Sequence, residues 1–348
     1  MINNYNIDKK YQNINPKIVV IGGGTGNSTL LKGLKKYTKN IVSIVAMADN
    51  GGGTGVLRED LGMLPPGDIR ACLIALSNRS DNLSEVFNYR FNEGTLKGQS
   101  FGNIFLAALN EVYGSFRKAV FEASNILNIT GQVYPSTLTN INLEAEFEDG
   151  HTVFGEYKIT DYGKDNNQKI KTLKLVPNNP KPTKGIKEKI EEADIIVLGP
   201  GSLYTSIIPN LLVENIVDYI NDSKAIKIYI SNVMTESGET DHFSIKEHIE
   251  TIENIAGEIN IQKVIANDFV LDSQKIIERY EKENQEQVIP TERDKEYLKE
   301  KNIELVTGNY ILVDEKTKKY IKHNAEKVSA TLLDIFLEES ETKKFIKR

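Results

Sequence analysis

The same pentapeptide occurs twice in this chain, each time after an apolar run. Gly22-Gly23-Gly24-Thr25-Gly26 follows Lys17-Ile18-Val19-Val20-Ile21, and Gly51-Gly52-Gly53-Thr54-Gly55 follows the run from Ile41 to Ala48, which ends in Asp49-Asn50. A short apolar run bounded by glycines reads as a buried strand entering a tight loop. The two loops begin 29 residues apart, about the length of one strand–helix–strand unit. The segment Asn27 to Tyr37 supplies the helix, capped by Asn27 or Ser28, with Leu30, Leu31 and Leu34 as its buried stripe. Parallel strands joined by one helix bring both loops to the carboxyl edge of a sheet, where open α/β sheets take their ligands. The repeat therefore predicts an open α/β sheet of parallel strands, with the two loops as walls of one phosphate-binding crevice.

The remaining pattern fits that frame. The second loop runs on to Asp60, and the turn Pro65-Pro66-Gly67 precedes a helix capped by Asp68 and ending at Leu76. Helical patterns follow at Leu83–Tyr89, Asn103–Tyr113 and Ser115–Leu127. Alternation then replaces helical periodicity. Ile141, Leu143, Ala145 and Phe147 share one strand face, and Thr152–Ile159 answers across the turn Glu148-Asp149-Gly150 as a hairpin. Asp161–Gln168 reads as a polar loop and Thr172–Val176 as a further strand. The strand and helix alternation resumes at Lys184, and Ile195–Leu198 ends in a third glycine loop, Gly199-Pro200-Gly201-Ser202. Strands are expected at Ile226–Ile230 and Lys263–Ala266, helices at Leu211–Ile220 and Ser244–Ile255, and strands at Ile311–Val313 and Tyr320–Ile321 flanking a turn. A closing helix is expected over Ala325–Glu338. The organisation predicted is a disordered polar leader over residues 1–15 and a single domain over 16–340. That domain carries a β-hairpin insertion over about 132–176 and a charged helical excursion over about 271–302.

Composition removes several function classes. The single cysteine, Cys72, excludes an intrachain disulfide and any multi-cysteine metal site, and its apolar neighbours read it as a buried thiol. The four histidines form no ligand spacing of the HExxH kind. A formal charge of −6 argues against general nucleic-acid binding. No apolar stretch approaches the roughly 20 residues that span a bilayer, so no membrane insertion is expected. The first residues lack an apolar signal core, and the expected location is cytoplasmic.

Glycine lets backbone N–H groups approach an anion closely, and a following helix N-terminus adds a partial positive charge. Gly22, Gly23, Gly24, Thr25, Gly26 and Asn27 are thus candidates for holding phosphate, as are Gly51, Gly52 and Thr54, and Gly199, Pro200, Gly201 and Ser202. Arg58 and Arg70 can each pair with a phosphate, or equally with surface carboxylates such as Glu59 and Asp60. Asp49 lies 23 residues after Gly26, close to the place of a ribose-binding carboxylate. The glycines are spaced GxGxG rather than GxGxxG, so the spacing supports a nucleotide without establishing a nicotinamide cofactor. Asp49 can bind a ribose, hold Mg²⁺, act as a base, or close an Asx-turn within its own loop. Ser202 is not set in a GxSxG nucleophile elbow.

Five motifs occur together in order: Ile21 to Gly26, Leu57 to Arg70, Phe101-Gly102-Asn103, Leu198 to Ser206, and Asn232 to Thr235 with Gly238 to Asp241. In this combination the chain, over about residues 17–336, resembles the bacterial gluconeogenesis factor family (YvcK-like proteins), which belongs with the CofD-like 2-phospho-L-lactate transferases. The resemblance implies a CofD-like, doubly wound, mostly parallel α/β fold related to the Rossmann type, and binding of a UDP-sugar such as UDP-N-acetylglucosamine. It also implies support of growth on gluconeogenic carbon sources and of cell shape. It adds Asn50, Asn103, Thr205, Ser206, Asn232 and Lys322 to the candidate ligand-binding residues. Two functions stay open within it. One is a non-catalytic nucleotide-sugar regulator, and the other is a transferase that moves a phosphate-linked group from a nucleotide-activated donor, with Mg²⁺ at Asp49. A homodimer or a protein partner also stays open. The chain departs from the family pattern twice: Asn50 replaces the second aspartate of the usual Asp-Asp-Gly-Gly-Ser-Ser/Thr-Gly, and Lys322-His323-Asn324 replaces Arg-His-Asp. Asn50 weakens metal binding, and Lys322 keeps a charge without the guanidinium fork.

Overall fold

The computed structural model describes residues 9–12, 14–313 and 321–346. In chain order the first half is β1 (Ile18–Gly22), α1 (Gly24–Leu34), β2 (Ile41–Val45), α2 (Gly52–Leu61), α3 (Gly67–Leu76), α4 (Asp81–Asn88), α5 (Phe101–Tyr113), α6 (Phe116–Leu127) and β3 (Gln132–Pro135). An insert follows: β4 (Asn142–Phe147), β5 (Thr152–Phe154), α7 (Glu156–Asn166) and β6 (Ile170–Val176). The second half opens with α8 (Ile186–Glu191), β7 (Ile195–Leu198), a π-helical turn (Leu203–Ile207), α9 (Ile208–Leu211), α10 (Ile216–Asp222) and β8 (Ile226–Ile230). It continues with α11 (Ile245–Ala256), β9 (Lys263–Asn267), α12 (Gln274–Lys282), α13 (Glu292–Glu300) and β10 (Glu304–Gly308). The hairpin β11 (Ile311–Val313) and β12 (Ile321–His323) and the helix α14 (Ala325–Ile346) close the chain.

The apolar runs become a seven-stranded sheet of order β10-β9-β8-β7-β1-β2-β3. Every pairing in it is parallel. β1, β7, β8 and β9 are buried at every position, as expected of central strands covered on both faces. The sheet is wound outward in both directions from the β1–β7 pair, and α1 packs against α3 and α14. The three-stranded antiparallel sheet β5-β4-β6 stands apart. It places Leu143, Ala145 and Phe147 in the core, on the single face their alternation predicts.

Several elements differ from the sequence expectation. α1 starts at Gly24 rather than Asn27, and α2 starts at Gly52 where a loop to Asp60 is expected. Glycine permits the positive φ of Gly24 (64°) and Gly52 (45°), so the turn and the first helical residues coincide. Asp68 lies inside the first turn of α3, whose N-cap is Pro66, and makes no cap. Gln132–Pro135 pairs with β2 and so belongs to the main sheet, not to the insertion. Residues 156–166 form a helix where strand and loop are expected, because Gly155, at φ 98°, breaks the strand. Within the expected leader, Tyr11 is buried: its hydroxyl donates to Asp334 Oδ1 at 2.9 Å and its ring meets Tyr37 edge-on. Residues 271–302 do form two helices, but Val288 and Leu298 are core residues. The turn expected after β11, and Tyr320, lie outside the described residues. No helix among the described residues is long and apolar enough to cross a membrane.

Candidate functional site

Strand order reverses between β1 and β7, and a crevice opens at such a switch point, beyond the carboxyl ends of the strands. The loops that leave β1 and β7 are therefore its natural walls, and they touch. A Cβ at Gly26 would lie 2.7 Å from the Pro200 carbonyl oxygen, and one at Gly201 would lie 3.3 Å from that of Gly23. Asn210 Nδ2 ties the walls by donating to Gly22 O at 3.0 Å. Ser202 starts the π-helical turn by accepting from Thr205 N–H, and Ser206 faces Gly23, where a Cβ would lie 3.2 Å from its hydroxyl. Asn232, after β8, donates to Gly201 O at 3.1 Å and leaves its own Oδ1 buried without a partner.

Of the first loop, Thr25 is exposed, while Asn27 is buried and donates to Ser43 Oγ at 3.1 Å beneath the site. That places Asn27 as a support of α1. Cys72, beside it, is buried, and burial pushes its thiol up to about 12. The N–H of Gly24 is taken by the Asp68 carboxylate, so α1 already carries an internal anion at its N-terminus. The second loop is the more open. Asp49 Oδ1 accepts from Gly51 N–H at 2.9 Å, which is the Asx-turn, while its Oδ2 faces Gly67. Beyond it Gly52 is exposed, with no atom within 4 Å of where its Cβ would stand. Thr54 is buried, its hydroxyl also facing Gly67.

Arg58 is buried and clamps the loop to the insert. Its Nη1 donates to Ala48 O and Asp49 O, and its Nη2 to Asn140 Oδ1, Ile141 O and Asn142 Oδ1. The terminal nitrogens are thus committed to protein oxygens rather than turned to the crevice. Asn50 faces the insert too: its N–H donates to Glu156 Oε2 and its Oδ1 accepts from Tyr157 N–H. Asn103 is buried in the first turn of α5, its Oδ1 unpartnered. Lys322 lies on β12, next to His323, whose Nε2 contacts Ser231 O at the end of β8.

The structure adds carboxylates that sequence reasoning left out of the site. Burial, with Asp49 nearby, pushes Asp68 up to about 7. Burial also pushes Glu156 up to about 8, with Asp49, Asp68 and Glu239 adding to it. Glu236 is held well above the usual carboxylate range by burial and by Glu239. Glu239 accepts from Ser202 Oγ and from Thr160 Oγ1, both at 2.7 Å. Asp68 and Glu239 stand inside motifs that carry the family resemblance, which is the signal that could have found them. Glu156 has no local signal, because only the insert brings it to Asn50.

Among the described residues no group of three or more His, Cys, Asp or Glu is placed to hold a metal ion. Asp49 and Asp68 alone supply two carboxylates, and Mg²⁺ commonly takes one or two, completing its shell with water and ligand phosphates. The donor set fits Mg²⁺ brought with a diphosphate rather than a protein-only cage. Chemically the site offers an open helix N-terminus, buried amides and protonatable carboxyls. Such a set suits a phosphorylated, hydroxyl-rich ligand.

The profile of the family described as 2-phospho-L-lactate transferase CofD matches residues 18–311. A relative from Thermoanaerobacterium thermosulfurigenes is 45% identical over 320 residues, covering 92% of this chain and 97% of that protein. The gluconeogenesis factor of Bacillus subtilis is 40% identical, covering 93% of this chain and 99% of that protein. A crystal structure of a UPF0052 family member from Bacillus halodurans superposes with a TM-score of 0.85 at 40% identity, over 91% of this chain and 99% of that one.

Proposed function

The chain belongs to the gluconeogenesis factor family, within the wider CofD group, and from that premise we propose that its crevice binds a nucleotide diphosphate-sugar of the UDP-N-acetylglucosamine kind. In this reading the protein is a ligand-responsive regulator supporting gluconeogenic growth and cell shape. One observation carries it: the loops after β1, β2 and β7 gather at one sheet edge, and Gly52 opens the first turn of α2 to the crevice. The diphosphate lies against Gly51 and Gly52, with Gly199, Pro200, Gly201, Ser202, Thr205 and Ser206 as the facing wall. Asn103, Asn232 and Lys322 reach the sugar or base. Calorimetric titration with UDP-N-acetylglucosamine should give heat that Gly52→Asp removes while circular dichroism stays unchanged, since aspartate tolerates a positive φ and sets a like charge against the diphosphate. Folded wild-type protein that gives no heat defeats the reading.

The adjacency of Asp49 and Asp68 favours a second reading, a CofD-like transferase. Mg²⁺ would be held by these two carboxylates and would neutralise the diphosphate of the donor. Metal-dependent turnover of a nucleotide-linked donor, lost in Asp49→Ala, would establish catalysis over sensing.

A further inference from the structure

We propose that Arg70 and Arg90, gathered at the first turn of α5, form a second oxyanion subsite that takes a phosphate group apart from the diphosphate at the glycine loops. The aliphatic stem of Arg70 is packed into α5, for a Cβ at Gly102 would lie 2.7 Å from Arg70 Cδ. A guanidinium nitrogen of Arg70 donates to Ser100 Oγ, the N-cap oxygen that also accepts from Asn103 N–H. Its Nε is buried and has no acceptor. Arg90 bridges Ser100 through the backbone, and its Nη1 donates to Gly98 O. Neither arginine makes an ion pair among the described residues. Burial and then the like charge of Arg90 lower the proton affinity of Arg70, outweighing the attraction of Asp68 and Asp49.

A buried charged donor without an acceptor is costly. The like charge of Arg90, itself exposed, adds to that cost beyond what Asp68 and Asp49 offset, and a dianion between the two guanidinium groups relieves it. The Nε edge of an arginine presents the paired donors that grip an oxyanion in bidentate fashion. Phosphate, with its second charge, matches two guanidinium groups better than a carboxylate does. Gln99 and Asn103, each more than nine-tenths buried, hold side-chain oxygens without donors at the same helix turn. Gln99 is suited to accept from a hydroxyl next to that phosphate.

The test is titration of the full chain with inorganic phosphate, by calorimetry or ³¹P line width, with and without saturating UDP-N-acetylglucosamine. Phosphate should still bind when the nucleotide sugar is present. Arg90→Gln and Arg70→Lys should each weaken phosphate by about tenfold or more, with Arg90→Gln leaving nucleotide-sugar affinity within about twofold. Competition between phosphate and the nucleotide sugar, phosphate affinity unchanged in both variants, or no phosphate binding by the wild type would each overturn the subsite. If the nucleotide sugar does not bind but arginine-dependent phosphate binding persists, the subsite stands and the nucleotide-sugar reading falls.

Discussion

Replacing Gly26 by alanine tests whether the β1 and β7 loops are packed as rigid walls. Gly26 is the third residue of α1 and does not have a positive φ, so alanine meets no backbone strain. Helix propensity alone predicts a gain of about 1 kcal/mol. The new Cβ, however, lies 2.7 Å from Pro200 O and 2.9 Å from Pro200 C. Ordinary contact needs about 3.5 Å, so the walls must part by roughly 0.8 Å. Both partners are backbone, which cannot swing away as a side chain can, and the Asn210–Gly22 hydrogen bond crosses the same seam. Overpacking of this kind costs about 1–3 kcal/mol. Taking the upper end and subtracting the propensity gain leaves a net loss of about 2 kcal/mol. Urea unfolding followed by circular dichroism would read that loss. Calorimetry with UDP-N-acetylglucosamine should show affinity lower by about tenfold, or 1.4 kcal/mol, as the crevice widens. A Gly26→Ala protein as stable as the wild type, or more so, would refute the picture of two touching walls.

Gly33→Ala should behave alike on the opposite end of α1, because its Cβ would lie 2.4 Å from Ala325 O. A loss of about 1–3 kcal/mol is expected in the same unfolding assay. Arg58→Met keeps the stem but strands the oxygens of Ala48, Asp49 and Ile141, and should cost about 3 kcal/mol in the unfolding assay. It should also speed protease cleavage between α2 and β4. Glu156 has its folded pKa raised to about 8, so the native state holds a proton that the unfolded state releases from about pH 4 upward. Its contribution is complete below the unfolded pKa and is lost as pH rises toward 8. Glu156→Gln should therefore flatten the fall of the urea midpoint between pH 5 and 8; a slope equal to that of the wild type would show that other groups set it.

Strands β1, β2, β7, β8 and β9 were legible because buried parallel strands are written as unbroken apolar runs. Their order in the sheet follows from the three glycine loops only as far as a shared edge. The seam between β1 and β7 rests on contacts between residues some 180 positions apart, as Gly22 and Asn210 show. α2 was illegible because its first residues are glycines, which signal a loop, while only their dihedral angles start the helix. α7 was hidden by its polarity, for Ile159 and Gly163 are its buried residues. The candidate site was legible as backbone and incomplete as side chains. The glycines announce themselves by spacing, whereas Glu156 and Glu236 gain their character from burial, which no local pattern records. Arg58 was legible as a charge near a loop, but not as a clamp, because its acceptors on the insert side lie 82 to 84 residues away.

Glu156 and Thr160 are four residues apart on α7, and one meets Asn50 while the other meets Glu239 and through it Ser202. One helical turn thus acts as a tie bar between a loop of the first half and a loop of the second, its length fixed at about 6 Å by the rise of the helix. Lengthening the β4–β5 turn at Asp149-Gly150 leaves that bar intact. A single residue inserted between Glu156 and Thr160 rotates one attachment about 100° away from the other. The insert therefore tolerates growth at its tip but not at its root, and the gap between the β2 and β7 loops is gauged by helical pitch.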